Sequence, residues 1–362
     1  WLAELKNQLV ETKPGLYSLK SNDNKTLFML TVEVVSIYKQ GDKVRRVHNL
    51  IFFPNFKAVD RLIAALEARG ANLKADGRPI MGIPCPELLK LCKEANEAIE
   101  VVPAHAWTPH FGVFGSLSGF DSIEEAYGDM AKYIFAFETG LSSDPKMNWQ
   151  ISKLDKYSLI SNSDAHSLRK LGREANVFEV EPNNLSYQQI IKVIKQKKPK
   201  QFLQTIEFFP EEGKYHLDGH RDHQYSCLPK ETKRLKGICP LCGKQLLRGV
   251  MHRIDDLGDR AYGFIPEKSI PFISTIPLEE IIAETLGVGV TSKKVIEKYE
   301  QIVSQVSEFS VLLDMPKQEI ILLAGPEIAE SVFRVRENKV TINPGYDGVF
   351  GKINIYSDEE RI

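Results

Sequence analysis

Cysteine is scarce in this 362-residue chain, with five in all, two of them in Cys239-Pro240-Leu241-Cys242. A disulfide-framed secreted domain needs a denser set, so a reducing compartment with a metal knuckle is the expectation. Long apolar runs are missing too: none approaches the roughly 18 residues of a membrane span. A cytoplasmic protein with no membrane partner is therefore expected. No Walker loop, GxGxxG turn or Gly-x-Ser-x-Gly elbow occurs, which sets aside kinase, dinucleotide-dehydrogenase and serine-hydrolase chemistry. Internal repeats and low-complexity tracts are absent as well.

What remains is ordinary globular material, 43% hydrophobic and 26% charged, long enough for two or three domains. The net charge of −1 hides an asymmetry, because residues 191–253 hold 14 Lys/Arg against 6 Asp/Glu. A basic middle beside an acidic remainder suits a polyanionic partner held near a metal-rich site. Solvated lysines on surface helices are the plainer alternative.

Residues 26–38 and 44–54, β-branched and aromatic on either side of Gln40-Gly41-Asp42, read as paired strands. Helical patterns follow at 55–69 and 86–97, then strands at 99–104, 133–137, 157–161, 175–180 and 201–206, with helices near 122–131 and 185–197. Strands alternating with helices predict parallel βα units closing into a barrel, whose chemistry collects at C-terminal strand ends. Those ends carry Glu33, His48, His105, Glu138, Asp164 and His166. From 213 to 262 periodicity fades while His and Cys concentrate. Beyond 277 the pattern is helical, ending in a β-like tail, RVRENKVTINPGYDG. The predicted domains are 1–212, 213–262 and 263–362.

Asp164 and His166 follow the apolar run Tyr157-Ser158-Leu159-Ile160. In extended chain they point the same way, so a carboxylate and an imidazole converge. Oxygen plus imidazole nitrogen suits Zn²⁺, Mn²⁺ or Fe²⁺. Such clusters clamp a phosphate oxygen and acidify water, which is phosphoester hydrolysis without a protein nucleophile. The second constellation, Cys239-x-x-Cys242 with Gly243 behind it and His220, His223 and Cys227 upstream, has zinc-knuckle spacing. A redox pair is the alternative, without a thioredoxin-like setting to support it. In Glu138-Thr139-Gly140-Leu141-Ser142-Ser143-Asp144, the groups above a strand end can read a ligand, or simply cap the helix opening at Asp144-Pro145.

VHNLIFFP, VPAHAWTPHFGVFGS, SLSGFDSIEEAYGD, FETGLSSDPKMNW and SNSDAHSLRKLGREANVF together resemble the polymerase-and-histidinol-phosphatase (PHP) superfamily, and within it the endonuclease Q branch. DGHRDH…CPLCGKQLLRGVMHR and NPGYDGVFGKI resemble that branch's zinc-binding and C-terminal segments, so the likeness covers nearly the whole chain. It implies an α/β protein: a distorted (β/α)7 barrel, a small zinc-binding module and a C-terminal helical domain. It further implies a metal-dependent endonuclease that nicks DNA on the 5′ side of uracil, hypoxanthine, xanthine or an abasic site. Glu33, His48, His105, Asp164 and His166 match the metal positions, with Asp164 and His166 catalytic. His223, Cys227, Cys239 and Cys242 would hold structural zinc, while Glu138, Gly140 and Ser142 would contact a flipped base. Zn²⁺ is the implied cofactor, with Mg²⁺ or Mn²⁺ as alternatives at the catalytic cluster. Damaged DNA is the implied partner, and a replication sliding clamp a candidate one. Two departures stand out. The family's His-x-His strand and a further Asp do not occur before Trp1, so an N-terminally truncated chain is expected; and the family carries Cys where His223 stands. A phosphatase of small phosphorylated metabolites, or a non-catalytic nucleic-acid-binding PHP protein, are the competing readings.

Overall fold

The computed structural model describes residues 2–21, 26–74 and 79–361, which form a mixed α/β fold. A short hairpin of β1 (Leu9–Lys13) and β2 (Leu16–Leu19) comes first. Its turn glycine, Gly15, has φ +73°, and a Cβ there would lie 2.5 Å from the Tyr187 Cβ, so only glycine fits. Next come β3 (Leu30–Gln40) and β4 (Lys43–Phe53), antiparallel in unbroken register from Leu30↔Phe53 to Gln40↔Lys43. The two residues between them, Gly41-Asp42, are hairpin-turn chemistry, with Gly41 at φ +59°. β5 (Ile80–Met81) adds parallel to β3 and β6 (Glu100–Pro103) antiparallel to β4, giving the order β5-β3-β4-β6. β7 (Ala136–Glu138) and β8 (Ser158–Ile160) form a separate parallel pair. β9 (Ala175–Phe178) and β10 (Phe202–Glu207) follow.

Among the described strands the pairings make separate sheets and no closed barrel. The strands read as a pair across Gln40-Gly41-Asp42 do form a hairpin, and parallel pairing occurs at β3/β5 and β7/β8. A two-residue turn can only return the chain antiparallel, whereas a parallel neighbour needs a long crossover. Three of the four strands in the main sheet accordingly run as an antiparallel set.

Chain contacts define two units: Trp1–Ser161, Asn176–Gln204 and His252–Pro271 in the first, and Asn162–Ala175, Thr205–Met251 and Phe272–Ile362 in the second. Most of the Cys/His-rich stretch thus joins the C-terminal helices, where the sequence reading divides the chain at 212/213 and 262/263.

In the first unit, helix Phe56–Ala68 starts where the Asn55 side chain accepts from the Ala58 N–H, and it buries Ala58, Leu62 and Leu66 at helical spacing. Helix Tyr187–Gln196 is capped the same way by Ser186. Val102, Ala136, Ile160, Val193 and Phe202 make the core beneath the strand ends.

The second unit contains the hairpin β11 (Asp218–His220) and β12 (Tyr225–Cys227), then β13 (Phe272–Ser274), which pairs parallel with the end of β10. Helices Leu278–Thr285, Lys293–Val303, Lys317–Ala324 and Pro326–Arg336 enclose Ile281, Ile282, Val295, Ile302, Ile320 and Val332. The tail expected to be β-like is helical through Arg336. That guanidinium donates to the carbonyls of Val311, Leu312 and Met315, fixing the last turn before β14 (Thr341–Asn343) and β15 (Lys352–Asn354) begin. Among the described residues no helix is long and apolar enough to cross a membrane.

His216 is buried in this unit, and desolvation, only partly offset by a hydrogen bond to the Pro210 carbonyl, pushes its imidazole down to about 4. A histidine kept neutral by the fold stabilises it above its unfolded pKa of 6.5, and that contribution is lost as pH falls from 6.5 through 4. Over that window stability should drop by roughly 3 kcal/mol on this account. Denaturant titrations of wild type and His216→Gln at pH 7 and pH 4.5 check this: the variant should lose less on acidification, and an equal loss would contradict it.

Candidate metal centre

The β3/β4 register places Val35 opposite His48, so Glu33, two residues earlier on the same strand face, lies diagonally within reach of the imidazole. The third member comes from the segment after β6, which is tied to β4 by the Ala104 N–H donating to the His48 carbonyl at 3.0 Å. Glu33 Oε1 lies 2.5 Å from His48 Nδ1 and 3.3 Å from His105 Nε2, and the two nitrogens are 3.0 Å apart. His48 and His105 are buried and Glu33 half-buried. Glu33 and His48 lie inside their strands, not at the strand ends where the sequence reading puts them.

Two of the three separations, 3.0 and 3.3 Å, suit donors of one divalent ion, while Glu33 and His48 at 2.5 Å stand at hydrogen-bond distance. Donors about 2.1 Å from an ion are separated by about 3.0 Å at octahedral angles and about 3.4 Å at tetrahedral ones. One carboxylate oxygen with two imidazole nitrogens is a donor set shared by Zn²⁺ and Mn²⁺. Burial alone would raise the Glu33 carboxyl pKa; hydrogen bonds and charge from His105 and His48 outweigh it and hold the group well below the usual carboxylate range. Glu33 is therefore anionic, as a ligand must be.

His105 owes its position to backbone strain held in place by neighbours. Its φ is +27°, sparsely populated for a non-glycine residue. The buried Glu138 carboxylate accepts the His105 N–H at 2.7 Å, and the Glu138 carbonyl accepts from Ala106 at 2.9 Å. Gly140 (φ +61°) lies against the histidine, where a Cβ would come within 2.5 Å of the His105 Cβ. Glu138 and Gly140, expected to read a base, thus support a candidate metal ligand. Ser142 is half-buried. Asp144 caps helix Pro145–Asn148 by accepting from Met147 at 2.8 Å, as the capping alternative has it, while Ser143 donates to the Thr139 carbonyl.

The loop after His105 covers the centre. Phe111 stacks on His48 with ring centroids 4.5 Å apart, and its carbonyl accepts the His48 N–H. Trp107, fully buried, donates to Asn148 at 2.7 Å. Arg253 grips the far side through the carbonyls of Phe114 and Phe120. Sequence reasoning missed Phe111 and Arg253. The first lies in the quoted VPAHAWTPHFGVFGS stretch, while the second is more than 130 residues away and carries no local signal.

Asp164 and His166 belong to the second unit. Asp164 has φ +42°, so the chain there is not extended and the alternation that would aim both side chains one way does not apply. Instead the Asp164 carbonyl and the His166 Nδ1 meet at 2.9 Å, with the carboxylate 3.9 Å from that nitrogen. In the same unit His220, Cys239 and Cys242 bring their donor atoms within 4.8 Å of one another. His223 and Cys227 fall outside that set. The His223 ring lies 4.9 Å from that of His220, and the Cys227 Sγ is 3.2 Å from the Thr232 hydroxyl. The Cys239 thiol sits below its ordinary value: desolvation opposes this, but hydrogen bonds from the Leu241 backbone, His220 and the Cys242 backbone prevail.

Fold and site together define a mixed α/β protein with a largely buried carboxylate–imidazole centre and a second group of one imidazole and two thiols. Comparison with solved structures narrows this. The lesion-specific endonuclease Q of Pyrococcus furiosus superposes with a TM-score of 0.85 at 30% identity, over 99% of this chain and 84% of that one. An endonuclease Q bound to a 27-mer duplex with an abasic lesion at its active site superposes at 0.84 and 31%, over 100% and 87%. The chain belongs to the endonuclease Q family. Residues 277–339 match the family model of the MJ0043 C-terminal domain. The Methanocaldococcus jannaschii protein MJ0043 is 32% identical over 256 residues, 69% of this chain, and the match spans 31% of that relative's own length. Bacillus subtilis YqxK is 27% identical over 85% of this chain and 73% of its own.

If Gly140 sets His105, then Gly140→Ala should weaken Mn²⁺ binding by about 10-fold or more while far-ultraviolet dichroism stays unchanged. Calorimetric titration reads this directly, and an unaltered affinity would remove residue 140 from the support of the centre.

Proposed function

We propose that this chain is a metal-dependent DNA repair endonuclease that cuts the backbone beside a damaged nucleotide. The observation that carries the reading is the Glu33–His48–His105 triangle, an anionic, half-buried carboxylate and two buried imidazoles whose donor atoms lie within 3.3 Å of one another. Whole-chain likeness to a lesion-specific endonuclease, and to a homologue bound to abasic DNA, supports DNA over a small phosphomonoester, which would leave the second unit without a use. Uracil, hypoxanthine, xanthine and abasic sites, nicked on the 5′ side, are the substrates proposed. The PHP-type chemistry implied by the sequence is centred on Glu33, His48 and His105 in the first unit.

Glu33, His48 and His105 would hold the ion, which as Zn²⁺, Mn²⁺ or Mg²⁺ supplies Lewis-acid polarisation of a phosphodiester oxygen. Glu33 contributes the negative charge that retains a divalent cation. Phe111 shields His48 from water, and Glu138 with Gly140 fixes the ring of His105. Asp164 and His166 are proposed to serve the same reaction, on the strength of their sequence motif. His220, Cys239 and Cys242 are proposed to bind structural zinc, with His223 and Cys227 as candidates for the fourth donor. The basic stretch 191–253 supplies cations for phosphates.

The test uses the full-length protein with end-labelled duplex carrying one deoxyuridine or one abasic site, plus Mg²⁺ or Mn²⁺. A single nick 5′ to the lesion is expected. Glu33→Gln and Asp164→Ala should each slow it by more than about 100-fold without unfolding the protein. Undiminished cutting by Glu33→Gln would sink the metal centre, and cutting of p-nitrophenyl phosphate alone would favour the phosphatase reading.

A further inference from the structure

The turn that follows His166 carries two leucines that the fold leaves in water. Leu168 is 86% exposed and Leu171 64% exposed, within five residues of the candidate catalytic pair. The turn is nonetheless rigidly held. Leu168–Lys170 is a single 3-10 turn closed by the Lys170 N–H on the Ser167 carbonyl and the Leu171 N–H on the Leu168 carbonyl. Four charged neighbours tie it to the rest of the unit. Arg169 pairs with the buried Glu279 at 2.7 Å and Lys170 with Glu280 at 2.7 Å, both on helix Leu278–Thr285. Arg173 donates to the Ser163 carbonyl at 2.9 Å, so the loop's two ends are clipped together, and the buried Glu174 accepts from the Phe208 N–H. The cations thus spend their charge on pinning the turn, and the leucines project from a fixed base.

Isolated exposed apolar residues are common, but a pinned turn with two of them beside candidate catalytic residues is the arrangement of an apolar wedge. A nucleotide inside duplex DNA must leave the stack before an enzyme reaches its 5′ phosphate, and the gap it leaves takes an apolar side chain. We infer that Leu168, backed by Leu171, is a positioning residue that inserts into the base stack at the lesion and holds the nucleotide out. Arg169, its side chain half exposed despite the Glu279 pair, lies on the turn where a flanking phosphate would pass. The inference rests on the proposed endonuclease function and names how that site handles duplex DNA.

The experiment places 2-aminopurine next to the lesion in a U·G duplex and, with Ca²⁺ in place of Mg²⁺ or Mn²⁺ to prevent cutting, titrates the full-length protein. Wild type should raise the fluorescence as the neighbour unstacks, and Leu168→Ala at saturating concentration should not, while Leu168→Met restores the rise. With Mg²⁺ or Mn²⁺ added, Leu168→Ala should lose roughly 10- to 100-fold in nicking of the duplex, about the effect of burying one leucine side chain, and clearly less on a bubble substrate whose lesion is already unpaired. A full fluorescence rise with Leu168→Ala, or equal loss on duplex and bubble, overturns the wedge and leaves the endonuclease intact. Failure of the wild type to bind or nick lesion DNA at all overturns the endonuclease reading and the wedge with it.

Discussion

Three donor atoms, Glu33 Oε1, His48 Nδ1 and His105 Nε2, meet within 3.3 Å of one another in a largely buried setting, and the first unit is arranged to make that possible. An anionic carboxylate taken from water costs several kcal/mol unless something compensates it. The two imidazoles do so through hydrogen bonds, and a cation at their common focus would do so more fully. The long hairpin register brings Glu33 and His48 together across strands. Positive φ at His105 turns its ring onto the same point, and the Glu138 carboxylate and the bare face of Gly140 keep it there. Removing any one of these supports loosens a geometry that the others cannot hold alone.

The two units solve stability differently. The first has a sheet and capped helices burying a continuous aliphatic core. In the second the four C-terminal helices do the same, but the Cys/His-rich hairpin stretch has little to bury: Leu228, Ile238 and Leu241 all stand exposed. Segments that cannot form a core are held by other means, and a metal cross-link through His220, Cys239 and Cys242 is the chemistry available there.

Much of this is legible in the amino-acid sequence. Alternating β-branched residues mark β3 and β4, Gly41-Asp42 marks their turn, and Asp144 announces a helix start because capping is a local hydrogen bond. Glu33, His48 and His105 were identified as metal-competent residues, and Cys239 and Cys242 as a knuckle. Beyond the β3/β4 hairpin, strand pairing is not legible. Periodicity tells which residues extend but not which neighbour they choose, and among the described strands the pairings form separate sheets. Asp164 was placed in extended chain because no sequence pattern announces a left-handed aspartate. The role of Glu138 escaped because its partner is a backbone N–H 33 residues away. The C-terminal strands were anticipated too early because Arg336 draws its stability from distant carbonyls.

The central claim is that the Glu33–His48–His105 triangle holds the catalytic ion. Anomalous diffraction at the manganese edge, from crystals of the full-length protein grown with Mn²⁺, tests it most directly. A peak within about 2.5 Å of Glu33 Oε1, His48 Nδ1 and His105 Nε2, lost in Glu33→Gln crystals, is the predicted result. Fully occupied manganese found only elsewhere, with those three atoms still hydrogen-bonded to one another, would contradict it.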